Sequence, residues 1–415
     1  MRVRRLSARW VLPIAGPALE RGALLIGADG RILAVGPDAA VPRPVDAWIE
    51  DFGDALLLPG LINTHTHLEL TGLDPRAPEP DFAAWIRRVR SDKAARAPHA
   101  FLEAARRGLA DCWAAGVTTV ADTGDSGAVI EALAECGGSG IAYQEVFGPH
   151  PDQRDESLAG LRQAVARLGQ FAGGRVRIGV SPHAPYTVSG PLYAATAAFA
   201  REAGLPVAVH LAESPAESAL LAGGTGAFAE AWRGRGIPMP VPLGQTPVGW
   251  LAAHGVLSER TLCIHVVQAG PADIEQLARA NVGVAHCPLS NRAHGHGEAP
   301  LAALLTAGLR VGLGTDSVLS VGMLDLLAEA RAARALAGLD AATTLSLCTR
   351  DAARALGLEA EIGALWPGAW GDCLVIRARA GAPSSAEEQV LASGPRDVLA
   401  TLVGGRDVYR TSPPL

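Results

Sequence analysis

The sequence predicts an α/β fold, a (β/α)8 TIM-type barrel with a small β-sandwich formed by the two ends of the chain. Three observations carry this reading. From Leu57 to about residue 357, eight short apolar runs alternate with alanine-rich segments of helical character, the signature of repeated βα units. Residues 1–56 read as short strands around turns, and residues 360–415 return to that texture. A strand-rich segment at each end, flanking a barrel at 57–359, pairs most simply into one composite domain.

The N-terminal segment offers RWVLPIAG, GALLIGADGRILAVG and DAWIEDFG, with Asp29-Gly30 as a type I′ hairpin signal. The barrel strands follow as LLLPGLINTHTH, VTTVADT, IAYQEVFG, VRIGVSPH, PVAVHLAE, TLCIHVV, VGVAHCP and RVGLGTDS. Helical stretches such as PHAFLEAARRGLADCWAAG, ESLAGLRQAVARLGQFAG and PADIEQLARAN lie between them, the last with Pro271 at a first helical position. The C-terminal segment supplies GALWPGAWGDCLVIRA and DVLATLVGGRDVYR. The connections at 68–100 and 214–260 exceed ordinary βα loops and are expected to cover the barrel mouth.

Composition narrows the partners. The 415 residues are 49% hydrophobic and 19% charged, with 48 glycines, ample material for a core. A formal net charge of −6 argues against nucleic acid or an anionic membrane, which are read by clustered positive charge. A small molecule fits better. Six cysteines without CxxC spacing suggest reduced thiols. The opening MRVRRLSARWVLPIAGPALERG lacks a signal peptide's continuous apolar stretch, and no long apolar run marks a membrane span. The cytoplasm is the expected location. The oligomeric state stays open, a homodimer included.

In a (β/α)8 barrel the site forms at the C-terminal ends of the strands, so polar residues that close apolar runs carry the chemistry. The first run ends in His65 and His67, the fourth in His183, and the fifth in His210 with Glu213 just beyond. The sixth carries His265, the seventh His286 and the eighth Asp316. Side chains alternate along a strand, so His65 and His67 share a face. With His210 and Asp316 they make three imidazoles and a carboxylate, a set suited to one divalent ion, zinc before iron. Such an ion makes water nucleophilic near neutral pH. Asp316 is placed to take a proton. Glu213 suits a mobile acid–base role, or else the acidic start of the helix after it.

HxH on the first strand, HLAE on the fifth, IHVV on the sixth and GTDS on the eighth resemble the amidohydrolase superfamily. The chain is most similar to its cytosine deaminase, chlorohydrolase and S-adenosylhomocysteine deaminase branch, and the likeness includes LPGLINTHTHLE and WPGAWGDCLVI. The resemblance implies a zinc-dependent hydrolase in which His265 orients the attacking hydroxide and His183, in SPHAPYTVS, contacts a nucleoside sugar. It implies that Asn291, in AHCPLSN, helps shape the site floor. Glu69 and Glu145 are either substrate contacts or salt-bridged scaffold, and His286 either contacts substrate or hydrogen-bonds behind the site. Lys93 is the single lysine of the chain and lies off the strands, so a carboxylated-lysine bridge between two metals is not expected. NRAHGHGEAP departs from the family pattern, and His294 and His296 read there as exposed loop residues, ahead of a second metal pocket.

Within the branch, THLELTG, FAAWIRRVR and YQEVFG are most similar to aminofutalosine deaminases. That likeness implies hydrolysis of 6-aminodeoxyfutalosine, with Arg87, Arg88 or Arg154 available for its far carboxylate. Deamination of S-adenosylhomocysteine, methylthioadenosine or adenosine is the nearest rival. Hydrolysis of a chlorotriazine or a cyclic amide is a more distant one.

Overall fold

A computed structural model describes residues 2–73, 81–379 and 385–411. Strands Arg4–Val11 (β1), Leu19–Ile26 (β2), Ile32–Pro37 (β3), Trp48–Asp51 (β4) and Ala55–Pro59 (β5) come from the N-terminal segment. They join Cys373–Arg377 (β14), Val398–Val403 (β15) and Arg406–Arg410 (β16) in one mixed eight-stranded sheet, ordered β16-β15-β14-β5-β1-β2-β3 with β4 also on β1. The strands between them, Leu61–Thr66 (β6), Val117–Gly124 (β7), Gly140–Val146 (β8), Val176–Pro182 (β9), Val207–Leu211 (β10), Thr261–His265 (β11), Gly283–His286 (β12) and Arg310–Leu313 (β13), form the parallel barrel in sequence order. A parallel bridge between Thr66 and Asp316 joins its first and last staves.

The terminal sheet passes straight into the barrel. Gly60 alone separates β5, which pairs with β14, from β6, which pairs with β7. Strand periodicity explains how one apolar run serves both units. Leu56 and Leu58 join the core beneath the barrel, whereas Ala55 and Leu57 join the core of the terminal sheet. All four are fully buried, and each leucine contributes about 1.5–3 kcal/mol by leaving water.

The hairpin between β2 and β3 forms where expected, but its turn differs. Among residues 27–30 only Gly30 has a positive φ, and Gly30 N–H donates to the Gly27 carbonyl. A type I′ turn needs two left-handed residues, so this is a type I turn followed by a left-handed glycine. The register shift between Leu25 and Ile26 is the bulge that accompanies it.

Of the two long connections, 68–100 covers the mouth. Its helix Phe82–Ala94 (α1) starts on Asp81, whose side chain accepts the Ala83 N–H at 2.9 Å, and is followed by helix Pro98–Ala114 (α2). The 214–260 connection does not line the cleft. It packs Phe228 in a stack on Tyr186, with ring centroids 4.1 Å apart, and so braces the wall from outside. Among the described residues no helix is long and apolar enough to cross a membrane.

Candidate active site

His65 and His67 emerge where β6 ends, held by groups on the neighbouring staves. Asp122, buried on β7, accepts the Thr66 hydroxyl at 2.8 Å and the Leu68 N–H at 2.7 Å. The His67 Nδ1–H points at the Thr123 carbonyl, 2.8 Å away, leaving Nε2 for the cleft. Asn63 clamps the first stave to the last, donating to Thr315 Oγ1 at 2.8 Å and accepting the Thr315 N–H at 3.1 Å. Gly314 permits this closeness. A Cβ there would lie 2.8 Å from the His65 backbone nitrogen.

These constraints bring His65, His67, His210 and Asp316 together. His65 Nε2 and His67 Nε2 each stand 3.5 Å from Asp316 Oδ1. Two donors about 2.1 Å from one tetrahedral ion sit about 3.4 Å apart, so His65, His67 and Asp316 are spaced to share one ion, while His210 groups with His65 and His265. The His210 ring lies 4.9 Å from that of His65, and its Nδ1 meets the His183 carbonyl at 3.2 Å, which again frees Nε2. Both His65 ring nitrogens are buried without a hydrogen-bond partner, a costly state unless something fills it. Burial lowers the His65 pKa to about 4 and holds His210 well below its usual range. The rings are therefore neutral, the form in which imidazole can bind a metal. Burial alone would raise the Asp316 carboxyl, but the close imidazoles of His65, His67 and His265 keep it well below the usual range. Its Oδ2 accepts the hydroxyls of Ser290 and Ser320 at 2.5 and 2.9 Å.

Glu213 stands beside this set on the turn after β10. Tyr186 donates to its Oε2 at 3.1 Å, while His265 Nε2 and His296 Nε2 each lie 3.5 Å from its Oε1. Although burial pushes its pKa up, the facing histidines win and bring it to about 2. Its N–H and that of Ala212 donate to the Glu217 carboxylate at 2.9 and 2.8 Å. Ala212, His265, Val266 and Asp316 are four of the seven non-glycine residues with positive φ among those described. Such backbone costs roughly 1–3 kcal/mol per residue, and here two of the four residues, His265 and Asp316, line the cleft.

The remaining expected residues divide. His183, Glu145, His210 and His265 line one cleft. The His183 Nδ1 meets Thr187 Oγ1 at 2.8 Å, and its ring packs 5.0 Å from Phe147. Burial lifts the Glu145 carboxyl well above its ordinary range. Glu69 and Asn291 do not line this cleft. Glu69 turns outward, buried, with Lys93 on one oxygen and Ser126 on the other. Asn291 lies behind the floor, its Oδ1 accepting His265 Nδ1–H at 2.9 Å, so it orients that imidazole. His286 is fully buried with neither ring nitrogen hydrogen-bonded and is also off the cleft.

The expectation for His294 and His296 is overturned. His296 is only 3% exposed, with the Phe82 ring edge-on to it at 4.4 Å. His294 lines the cleft beside Trp85 and meets Ser320 at 3.1 Å. A covering helix hides both, which no local pattern in that loop reveals. The arginine expectation also moves. Arg87, Arg88 and Arg154 are off the cleft, whereas Arg90 lines it. Tyr186, Glu217, Phe82 and Trp85 were missed in the sequence. Ser214-x-x-Glu217 carries a capping-box pattern, but that signal does not disclose that the carboxylate holds the Ala212–Glu213 turn.

The amidohydrolase family model matches residues 56–408. The chain belongs to the amidohydrolase family. It is 31% identical over 418 residues to a 5-methylthioadenosine/S-adenosylhomocysteine deaminase of Symbiobacterium thermophilum, covering 96% of this chain and 92% of that one. It is 32% identical over 359 residues to an aminodeoxyfutalosine deaminase of Deinococcus radiodurans, covering 83% of each. Its structure resembles a zinc-bound adenosine deaminase of Xanthomonas campestris with a TM-score of 0.85 and 25% identity, covering 98% of this chain and 92% of that one.

Proposed function

We propose that this amidohydrolase is a metal-dependent hydrolytic deaminase of an adenine nucleoside, with 6-aminodeoxyfutalosine as substrate and deoxyfutalosine and ammonia as products, a step of menaquinone biosynthesis in the cytoplasm. The observation that carries the reading is Glu213, a buried carboxylate aimed into the cleft beside, and separate from, a four-donor metal set. Chloride leaves a ring carbon as an anion without a proton, whereas an amino group leaves as ammonia only after gaining one, so deamination makes the greater demand on a second proton carrier. His65, His67, His210 and Asp316 would hold one divalent ion, zinc or iron. When bound, the ion supplies Lewis acidity that lowers the pKa of water.

The protein's own groups perform the proton work. Asp316 accepts a proton as the water oxygen bonds to the amino-bearing ring carbon. Ionised Glu213 takes the other proton of the water and delivers it to the adjacent ring nitrogen, and the proton held by Asp316 passes to the amino group as its bond to carbon breaks and ammonia leaves. His265, oriented by Asn291, hydrogen-bonds at the attacking oxygen. His183 and Glu145 serve the sugar. The Symbiobacterium relative's name supports methylthioadenosine or S-adenosylhomocysteine as the second reading.

An ammonia-release screen tests this with 6-aminodeoxyfutalosine, S-adenosylhomocysteine, methylthioadenosine, adenosine and a chlorotriazine. The first is expected to show the highest kcat/KM. Lack of that advantage removes the aminodeoxyfutalosine assignment, and no ammonia release from any nucleoside removes the deaminase.

A further inference from the structure

The cleft wall opposite the catalytic groups is one face of α1. Phe82, Trp85, Ile86, Val89, Arg90 and Lys93 line the cleft, a spacing that places them on one side of a helix. The order along that face is chemically graded. Phe82 touches His296, which touches Glu213, so the apolar end of α1 lies over the reacting centre. Arg90 comes two turns later, which at about 1.5 Å rise per residue is about 12 Å along the axis.

Charge pairing separates the two cations on this wall. Lys93 is consumed by Glu69 and Asp125, at 2.5 Å each. Arg87 faces Asp81 at 3.7 Å, and Arg96 donates to the carbonyls of Glu69 and Thr71. Among the described residues no carboxylate or carbonyl engages the Arg90 guanidinium, and no other arginine lines the cleft. An unpaired guanidinium at the end of an aromatic and aliphatic wall is a receptor for a planar anion on an apolar arm.

We propose that Arg90 is the specificity-determining residue of this site. It selects adenine nucleosides whose sugar carries, beyond an apolar spacer, a terminal carboxylate. This rests on the deaminase reading above and deepens it. A substrate with its base at Glu213 and its sugar at His183 would run its arm along Trp85, Ile86 and Val89 to reach Arg90. A neutral thioether arm would leave the guanidinium unused.

The test compares kcat/KM for 6-aminodeoxyfutalosine and its methyl ester, which differ only in the terminal charge. The wild-type enzyme should prefer the acid, and Arg90→Gln should lower the acid-to-ester ratio at least 30-fold, mainly through KM for the acid. Arg90→Lys, which keeps the charge but not the fork, should retain part of the preference. Arg87→Gln should leave the ratio as it is. An unchanged ratio in Arg90→Gln, or an equal loss on acid and ester, overturns the role of Arg90 while the deaminase stands. A wild-type enzyme that releases ammonia from neither compound, nor from any other adenine nucleoside, removes the deaminase reading itself.

Discussion

Glu213 shows how much of this site is built on individual residues. A carboxylate sealed from water would ordinarily hold its proton, yet His265 and His296 at 3.5 Å keep it ionised and Tyr186 fixes its other oxygen. Glu217 sets its backbone through two N–H bonds, and burial pushes the Glu217 carboxyl itself up to about 8. Glu213→Gln preserves the shape and the hydrogen bond from Tyr186 but cannot shuttle a proton. Metal content by elemental analysis should match the wild-type enzyme while ammonia release falls by at least 10²-fold, the usual worth of a positioned acid–base group. Turnover within a factor of two of wild type would take Glu213 out of the mechanism.

At the scale of elements, α1 decides what the cleft can hold, and Lys93 ties it down. The lysine reaches Glu69 at the end of β6 and Asp125 after β7, joining the helix to the first two staves. Burial would drive its pKa down, but Glu69, Glu145 and Asp125 together raise it. The ammonium therefore stays charged through the physiological range. Lys93→Met leaves Glu69 buried with only Ser126 on it and should cost about 3 kcal/mol, as removal of one partner from a buried pair does. Calorimetry should show a lower melting temperature, with KM raised more than kcat is lowered because the wall loosens without touching the acid–base groups. The double variant Lys93→Met with Glu69→Leu should regain part of the stability. No recovery would show that the loss does not come from the stranded carboxylate.

The whole molecule contains several histidines that the fold keeps neutral. Burial lowers His286 and His183 to about 3, against about 6.5 in an unfolded chain. Below pH 6.5 the unfolded chain then binds more protons than the folded one. The stability that neutral His286 contributes is intact above 6.5 and lost as pH falls toward 3, by up to about 1.4 kcal/mol per pH unit. Glu217, with its folded pKa raised, acts in the opposite sense, so the measurement is a difference. Between pH 6.5 and 4.5 the unfolding free energy of His286→Asn should decline less steeply than that of the wild type. Parallel slopes would mean that His286 is not kept neutral by the fold.

The barrel, the composite terminal sheet and the strand-end polar residues were legible from sequence alone. Each depends on local periodicity, either an apolar run of period two or a polar residue closing it, and β5 illustrates this by feeding two cores from alternate positions. Tertiary structure alone decided which residues outside the strands face the reaction. Glu69, two residues past His67, turns away to Lys93, whereas His296, in a glycine-rich loop far along the chain, reaches Glu213. Arg90 faces the cleft while its neighbours Arg87 and Arg88 do not. The physical reason is that strand-end side chains inherit their direction from the pleat. Those on covering segments take theirs from long-range packing of α1 over the barrel mouth, which leaves no period in the sequence.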